Sequence, residues 1–296
     1  MLNKFLSPQN DAAFKKIFGT EKNKKILIHF LNDVLGFKEG EHIRDVFFLN
    51  PTLDRTIAAQ KTSLVDVLCK DEKGNKYIVE MQIIKQKGFE KRAQFYASRV
   101  YGSQMNEGDE YDNLKDVIFL AITNAPIFNN KDKCKSKHIT LDEETHEHDL
   151  KGMTYVFLDL SKFNKSIDDL TNVYEKWCYF LKHARETTDE DLKKIVGKDR
   201  IIGKAYEVLN RYSWNEAELN TYEDALDQER VFRAQLAAGK EEGFVEGERK
   251  GKAEGLVEGA KKGKIDVAKK FLSLEVDMNV IENATGLTKQ EIESYL

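Results

Sequence analysis

The chain has 296 residues, 41% of them hydrophobic and 33% charged, with 47 Lys and Arg against 51 Asp and Glu. That apolar content can bury the core of one large or two modest domains, so wholesale disorder is excluded. The formal net charge of −4 excludes a global basic field, and any contact with nucleic acid requires a local patch.

Three prolines exclude Pro-rich linkers. No apolar run approaches the roughly 18 residues a membrane span needs. The N-terminus MLNKFLSPQNDAAFKKIF carries charge throughout and does not read as a signal peptide. Cys69, Cys134 and Cys178 stand far apart without zinc-ligand spacing, and their odd number fits a reducing interior. A soluble, cytoplasmic protein without membrane contact is expected.

The chain opens with helical patterning. After Pro8 and the possible N-cap Asn10, Phe14, Ile17 and Phe18 and then Ile26, Leu27, Phe30, Leu31, Val34 and Leu35 recur at three-to-four spacing, with Gly36 as a C-cap. A strand is expected over 43–50. LVDVLCK (64–70), the polar turn DEKGNK (71–76) and YIVEMQII (77–84) predict a β-hairpin. A helix follows over about 89–106, then a strand buried on both faces at 116–123. HITLDEETH (138–146) and MTYVFLDLSKF (153–163) predict two further strands. From about 165 to 237 the pattern is helical again, with Trp177, Tyr179, Phe180 and Leu181 as packing residues. The order of elements is that of an α/β fold around a mixed sheet.

The last sixty residues differ. Gly239, Gly243, Gly247, Gly251, Gly255, Gly259 and Gly263 recur every fourth residue among Glu and Lys. Each glycine costs a helix about 1 kcal/mol relative to alanine, so this stretch reads either as a polar, partly helical spacer or as a helix that self-associates. Residues 265–296 form two short amphipathic stretches around Thr285–Thr288, with a capping box from Thr288 to Glu291. They read as a packing or partner-binding tail, too acidic for a DNA-reading helix-turn-helix.

Acidic residues on the hairpin carry the chemistry. Asp66 is predicted mid-strand between Val65 and Val67. Glu80 lies between Val79 and Met81 on the facing strand, and the period of two puts Gln82 on its face. Charges inside strands are expensive unless paired or bound to metal. Two carboxylates meeting across a hairpin repel, and a hard divalent cation, Mg²⁺ or Mn²⁺, relieves that repulsion. The plain alternative is that both face solvent on a sheet surface.

The arrangement Asp66, turn, Glu80-Met81-Gln82 resembles the PD-(D/E)XK nuclease superfamily, whose core runs αβββαβ. More closely, the chain resembles the recombination-promoting nuclease / putative transposase family. The matching pieces are PQNDAAFKKIFG (8–19), HFLNDVLG (29–36), SLVDVLCKDEKGNKYIVEMQ (63–82), KRAQFYASRVYGSQMNEGDEY (91–111) and the glycine repeat. The resemblance implies a restriction-endonuclease-like mixed sheet flanked by helices, with a helical C-terminal extension. It also implies a metal-dependent DNA endonuclease linked to recombination or transposon-like activity, in which Asp66 and Glu80 ligate Mg²⁺ or Mn²⁺. The superfamily's last Lys is Gln82 here, which orients water but supplies neither a general base nor positive charge. Lys85 is a poor replacement unless the strand ends first.

Asp11 falls where the superfamily often supplies another acidic ligand; it is equally the first-turn acid that a helix dipole favours. Lys15, one turn on, meets either a phosphate or Asp11. Arg92, Tyr96 and Arg99 share a helix face, and Arg92 and Arg99 suit DNA phosphates. His146 and His148 read as an exposed edge strand rather than a metal site. Lys131, Lys133, Lys135 and Lys137 read as a soluble loop or a phosphate patch.

The expected domains are a nuclease-like domain at 8–165, a helical extension at 166–237, the glycine-repeat spacer at 238–264 and the tail at 265–296. The alternative functions are a catalytically weak or inactive DNA-binding protein and an oligomeric interaction protein on the same fold, a homo-oligomer forming through the glycine repeat.

Overall fold

In the computed structural model, which describes residues 3–53, 63–197 and 199–294, the first helix starts at a side-chain cap. The Asn10 amide oxygen accepts from the Ala12 and Ala13 N–H groups at 3.0 and 3.3 Å. Helix α1 (Asp11–Phe18) then buries Phe14, Ile17 and Phe18. Helix α2 (Lys24–Leu35) buries Ile26, Leu27, Phe30, Leu31 and Val34 and ends on Gly36 at φ 73°, a left-handed conformation that favours glycine. Asn32 fixes the exit from α2: its amide donates to the Ile43 carbonyl at 3.0 Å and accepts the Ile43 N–H at 2.8 Å.

The strands follow as β1 (Val46–Phe48), β2 (Thr52–Leu53), β3 (Ser63–Leu64), β4 (Val67–Asp71) and β5 (Lys76–Gln82). Helix α3 (Phe89–Gly102) leads to β6 (Val117–Thr123), β7 (Lys135–His138) and β8 (Met153–Asp159). β2 pairs with β3 in a separate two-stranded sheet; the main sheet has the order β1-β4-β5-β6-β8-β7. β5, β6 and β8 are parallel, and the remaining pairs are antiparallel. This is the helix, three strands, helix, strand order expected from the sequence, extended by β8 and its edge partner β7.

The period of two sorts the sheet's side chains between two cores. Val67, Cys69, Tyr77, Val79, Leu120 and Ile122 share a core with α1, α2, α4 (Val173–His183) and α6 (Arg200–Leu209). Leu68, Ile78, Phe119 and Ala121 pack with Phe89, Ala93, Ala97 and Val100 of α3. The two small alanines bring α3 close to the sheet. Glu80 shares a face with Ile78, so the hairpin's acid points to the α3 side.

Helix α5 (Asp189–Val196) lies between α4 and α6 in the chain, and α7 (Glu216–Ser273) is one continuous helix of 58 residues. Two compact units divide the chain, Met1–Glu229 and Arg230–Leu296. Tyr222 is buried in the first and Ala268 in the second. Helix propagates cheaply once nucleated, so two anchored ends carry the glycine repeat between them. Glu246–Lys250 and Glu248–Lys252 pairs at 2.7 and 2.6 Å add a smaller contribution. In the second unit, α8 (Met278–Thr285) and α9 (Lys289–Ser294) close a small core of Ala268, Ile281, Leu287 and Ile292. Thr288 and Glu291 form the expected capping box. Tyr295 and Leu296 of the tail lie outside the described residues.

One predicted strand is corrected. Residues 139–146 are not a strand: Asp142 Oδ1 accepts the N–H groups of Glu144 and Thr145 at 3.0 and 2.7 Å, curling the chain into a turn. His146 sits there at φ 58°. The edge strand is instead β7, so Lys135 and Lys137 lie on a strand and not in a loop. No helix among the described residues is long and apolar enough to cross a membrane.

Trp177 ties the helical layer together. It is fully buried, its ring lies 5.3 Å from that of Phe30 and 5.7 Å from that of Phe180, and its indole N–H donates to Asp33 Oδ2 at 2.8 Å. Trp177→Ala is expected to destabilise the protein by about 3–5 kcal/mol, since it opens a large cavity and removes the indole hydrogen bond to Asp33. Urea denaturation followed by circular dichroism measures this.

Candidate active site

The site begins with the register of the β4–β5 hairpin. Asp71, 4% exposed, accepts the Lys73 and Asn75 N–H groups through Oδ1 and the Asn75 amide and Tyr77 hydroxyl through Oδ2. Gly74 turns the chain at φ 90°. These contacts fix Val67 opposite Val79, which places Asp66 and Glu80 at the same level.

Asp66 is not mid-strand. The chain bends there, and β4 starts one residue later. The bend lets the Asp66 carboxylate act as a ladder acceptor: Oδ2 takes the Met81 N–H at 2.8 Å, and the Asp66 N–H donates to Glu80 Oε2 at 3.2 Å. Each acid is therefore held by the other's strand. Asp66 is half-buried and Glu80 is 7% exposed.

Burial raises both carboxyls above the ordinary range. For Asp66, desolvation outweighs the Met81 hydrogen bond and nearby cations, with Asp11 adding to the rise. For Glu80, desolvation is followed by the charge of Asp66, and these outweigh Arg92 and Lys15. Two adjacent, desolvated oxygen-donor carboxylates, one of which opposes ionisation of the other, suit a hard divalent cation. No group of three or more His, Cys, Asp or Glu side chains with metal-holding geometry occurs among the described residues.

Arg92 closes the site from α3. Its Nη2 lies 3.3 Å from Glu80 Oε1 and also donates to Gln82 Oε1, while Nη1 donates to Gln86 Oε1 at 2.6 Å. Its guanidinium lies 4.7 Å from the centre of the Phe89 ring. Gln82 ends β5, and its amide donates to the Ile84 carbonyl at 2.7 Å. Both ends of Gln82 are thus engaged, its oxygen by Arg92 and its amide by the Ile84 carbonyl. The strand does end before Lys85, which is exposed.

Asp11 and Lys15 approach from α1. Lys15 Nζ lies 2.8 Å from Asp11 Oδ1, so the pair meets as one of the two expected outcomes. Both act electrostatically on Asp66. The start of α1 is tied to the sheet by Gln9 Oε1, which accepts from the Asn124 amide at 3.2 Å, while the Asn124 N–H donates to the Gln82 carbonyl at 3.2 Å. Arg99 lies further along α3, its guanidinium 5.7 Å from the centre of the Phe95 ring. The sequence reading missed Gln86, Gln9 and Asn124. They sit beside the motif in loops or at element ends, where no periodicity marks them.

The metal-free protein is expected to lose stability as pH rises. A carboxyl whose folded pKa exceeds its unfolded value retains a proton that the unfolded chain releases, so stability is full below about 4 and falls as pH rises toward about 8. One retained proton gives at most about 1.4 kcal/mol per pH unit. Urea denaturation in EDTA at pH 5, 6.5 and 8 should show the fall, and Glu80→Gln should flatten it.

A family model described as PD-(D/E)XK nuclease family transposase matches residues 8–237. No curated protein and no solved structure matches the chain. The match spans the whole sheet, the carboxylate hairpin and the helices packed on both faces, and it agrees with the αβββαβ core. The chain belongs to the PD-(D/E)XK nuclease family of transposases.

Proposed function

We propose that this protein is a metal-dependent DNA endonuclease that hydrolyses phosphodiester bonds in recombination or transposon-like events. The observation that carries this reading is the buried Asp66–Glu80 pair, locked through the backbone of both hairpin strands. A fold does not stabilise itself by burying two acids side by side, so the pair has a purpose outside stability.

Asp66 and Glu80 would hold Mg²⁺ or Mn²⁺. When bound, the ion supplies Lewis acidity at the scissile phosphate and eases deprotonation of the attacking water. The chain's own residues do the rest. Binding of the cation releases the proton that burial keeps on the pair, so affinity rises with pH. The Met81 N–H fixes the Asp66 carboxylate in one orientation. Asp11 adds negative charge at the open side of the site, and Lys15 and Arg99 meet DNA phosphates on either flank. In this reading the substrate is DNA and the compartment is the cytoplasm.

Purified protein should nick supercoiled plasmid with Mg²⁺ or Mn²⁺ and not with EDTA. Asp66→Ala and Glu80→Ala should each abolish nicking while leaving the far-ultraviolet circular dichroism unchanged. Persistent cleavage by a folded Asp66→Ala protein would refute the site.

A second reading concerns assembly. Phe244, Val245, Leu256 and Val257 are 58–76% exposed on α7, and the seven repeat glycines have nothing within 4 Å of a built Cβ. These features support a homo-oligomer through the glycine-repeat segment, with exposed apolar surface as the driving force. Light scattering of the full chain should give an oligomer mass that drops to the monomer in Phe244→Ser/Leu256→Ser. An unchanged mass in that variant removes this interface.

A further inference from the structure

The position that carries the superfamily's motif lysine is Gln82 here, and the residue that brings positive charge to the same place comes from another element. Arg92 projects from α3 toward the end of β5. It contacts Glu80 Oε1, Gln82 Oε1 and Gln86 Oε1, and it lies against the Phe89 ring. Three acceptors from two chain segments and two aromatic rings, Phe89 and Tyr96, fix a single guanidinium, which is more than an ordinary surface ion pair receives.

These contacts do not exhaust the group. A guanidinium has five N–H donors, and Arg92 Nε is buried with no hydrogen-bond partner among the described residues. An unpaired buried donor on a cation costs free energy unless an acceptor is supplied. The side chain is nonetheless 27% exposed, and one Nη1 hydrogen is not used by the Glu80, Gln82 and Gln86 contacts, so an anionic oxygen arriving at the carboxylate pair would have a donor to meet. The planar fork suits a phosphate oxygen, and the charge is permanent.

We propose that Arg92 is the catalytic cation of this site, with Gln82 and Gln86 as positioning residues that hold its guanidinium against the phosphate of the bond being cut. The proposal rests on the nuclease reading above. It assigns to Gln82 a structural duty in place of a water-orienting one, and it explains why a neutral amide stands where a lysine is expected. A lysine at 82 would face Arg92 and repel it, whereas a glutamine carbonyl accepts from it.

The test combines Arg92→Ala, Arg92→Lys and Gln82→Lys/Arg92→Ala in the full chain. Single-turnover cleavage of a duplex oligonucleotide with Mg²⁺ is measured beside duplex affinity in Ca²⁺. Arg92→Ala is expected to slow cleavage by about 10²–10³-fold, the scale of losing one preorganised donor to developing charge. Arg92→Lys should stay within about tenfold of wild type. Lysine at 82 should recover at least about tenfold in the Arg92→Ala background, a rescue that a merely structural role for Arg92 would not produce.

Cleavage by Arg92→Ala within about threefold of wild type overturns the proposal, as does the absence of rescue. If Arg92→Ala does not fold, Arg92→Gln takes its place with the same expectations. A wild-type protein that cleaves nothing refutes the nuclease reading itself. The Arg92 assignment is then decided by Ca²⁺-supported affinity, where a loss of about tenfold or more in Arg92→Ala supports the phosphate contact and an equal Kd overturns it.

Discussion

Two carboxylates buried side by side must be held against their own repulsion, and much of the first unit serves that end. Neither Asp66 nor Glu80 holds itself in place. Each accepts or offers a hydrogen bond through the other's strand, so the pair exists only while the hairpin keeps its register. A slip of one residue would turn Glu80 to the opposite face of the sheet. Asp71 prevents this from the far end of the hairpin by binding the turn and Tyr77 at once. A third acid, buried and fully satisfied, thus secures the geometry of the first two, which are not.

Charge then decides which helices approach. Ala93 and Ala97 bring α3 down onto the sheet, and that closeness lets Arg92 reach Glu80. On the other side, Gln9 and Asn124 tie the start of α1 to the ends of β5 and β6, which puts Asp11 and Lys15 within electrostatic range. The surrounding positive groups reduce the pair's repulsion without removing it, because burial still raises both carboxyls. The site is a local conflict maintained by a well-satisfied frame, the pattern expected where a structure gives up stability for function.

The legible parts of the sequence were those with a period. Phe14, Ile17 and Phe18, or Val67, Cys69, Tyr77 and Val79, follow helical and strand spacing and lie buried as that spacing requires. Glu80 and Gln82 share a face for the same reason. What escaped depends on backbone chemistry with no period. Asp66 looked like a strand residue between two valines, yet its side chain replaces a ladder carbonyl and bends the chain. Asp142 turned an expected strand into a loop by capping two N–H groups. Arg92 was legible as a helix-face cation, but not as a partner of Gln82, because nothing in one sequence states how far α3 sits from β5. Two alanines set that distance, and small residues are quiet in any hydrophobic pattern.

Moving a site's cation from a strand to a helix changes what the site depends on. A lysine on β5 would be fixed by the same ladder that fixes Glu80, so charge and carboxylate would keep their spacing however α3 moved. With Arg92 the spacing between them is set by side-chain packing of α3 on Ile78, Phe119 and Ala121. Packed interfaces shift in discrete steps more readily than hydrogen-bonded ladders. Arg92's short tethers to Gln82 and Gln86 oppose such shifts, and they bind the guanidinium to the end of β5 and the turn that follows it. The guanidinium also keeps its charge at every working pH, so Arg92 adds no titration of its own to the site. A lysine buried at position 82 would add a third titrating group to a pair already in conflict. The arginine leaves the electrostatics of the hairpin itself simpler: one fixed cation beside two neighbouring acids, and a backbone that holds the acids in register.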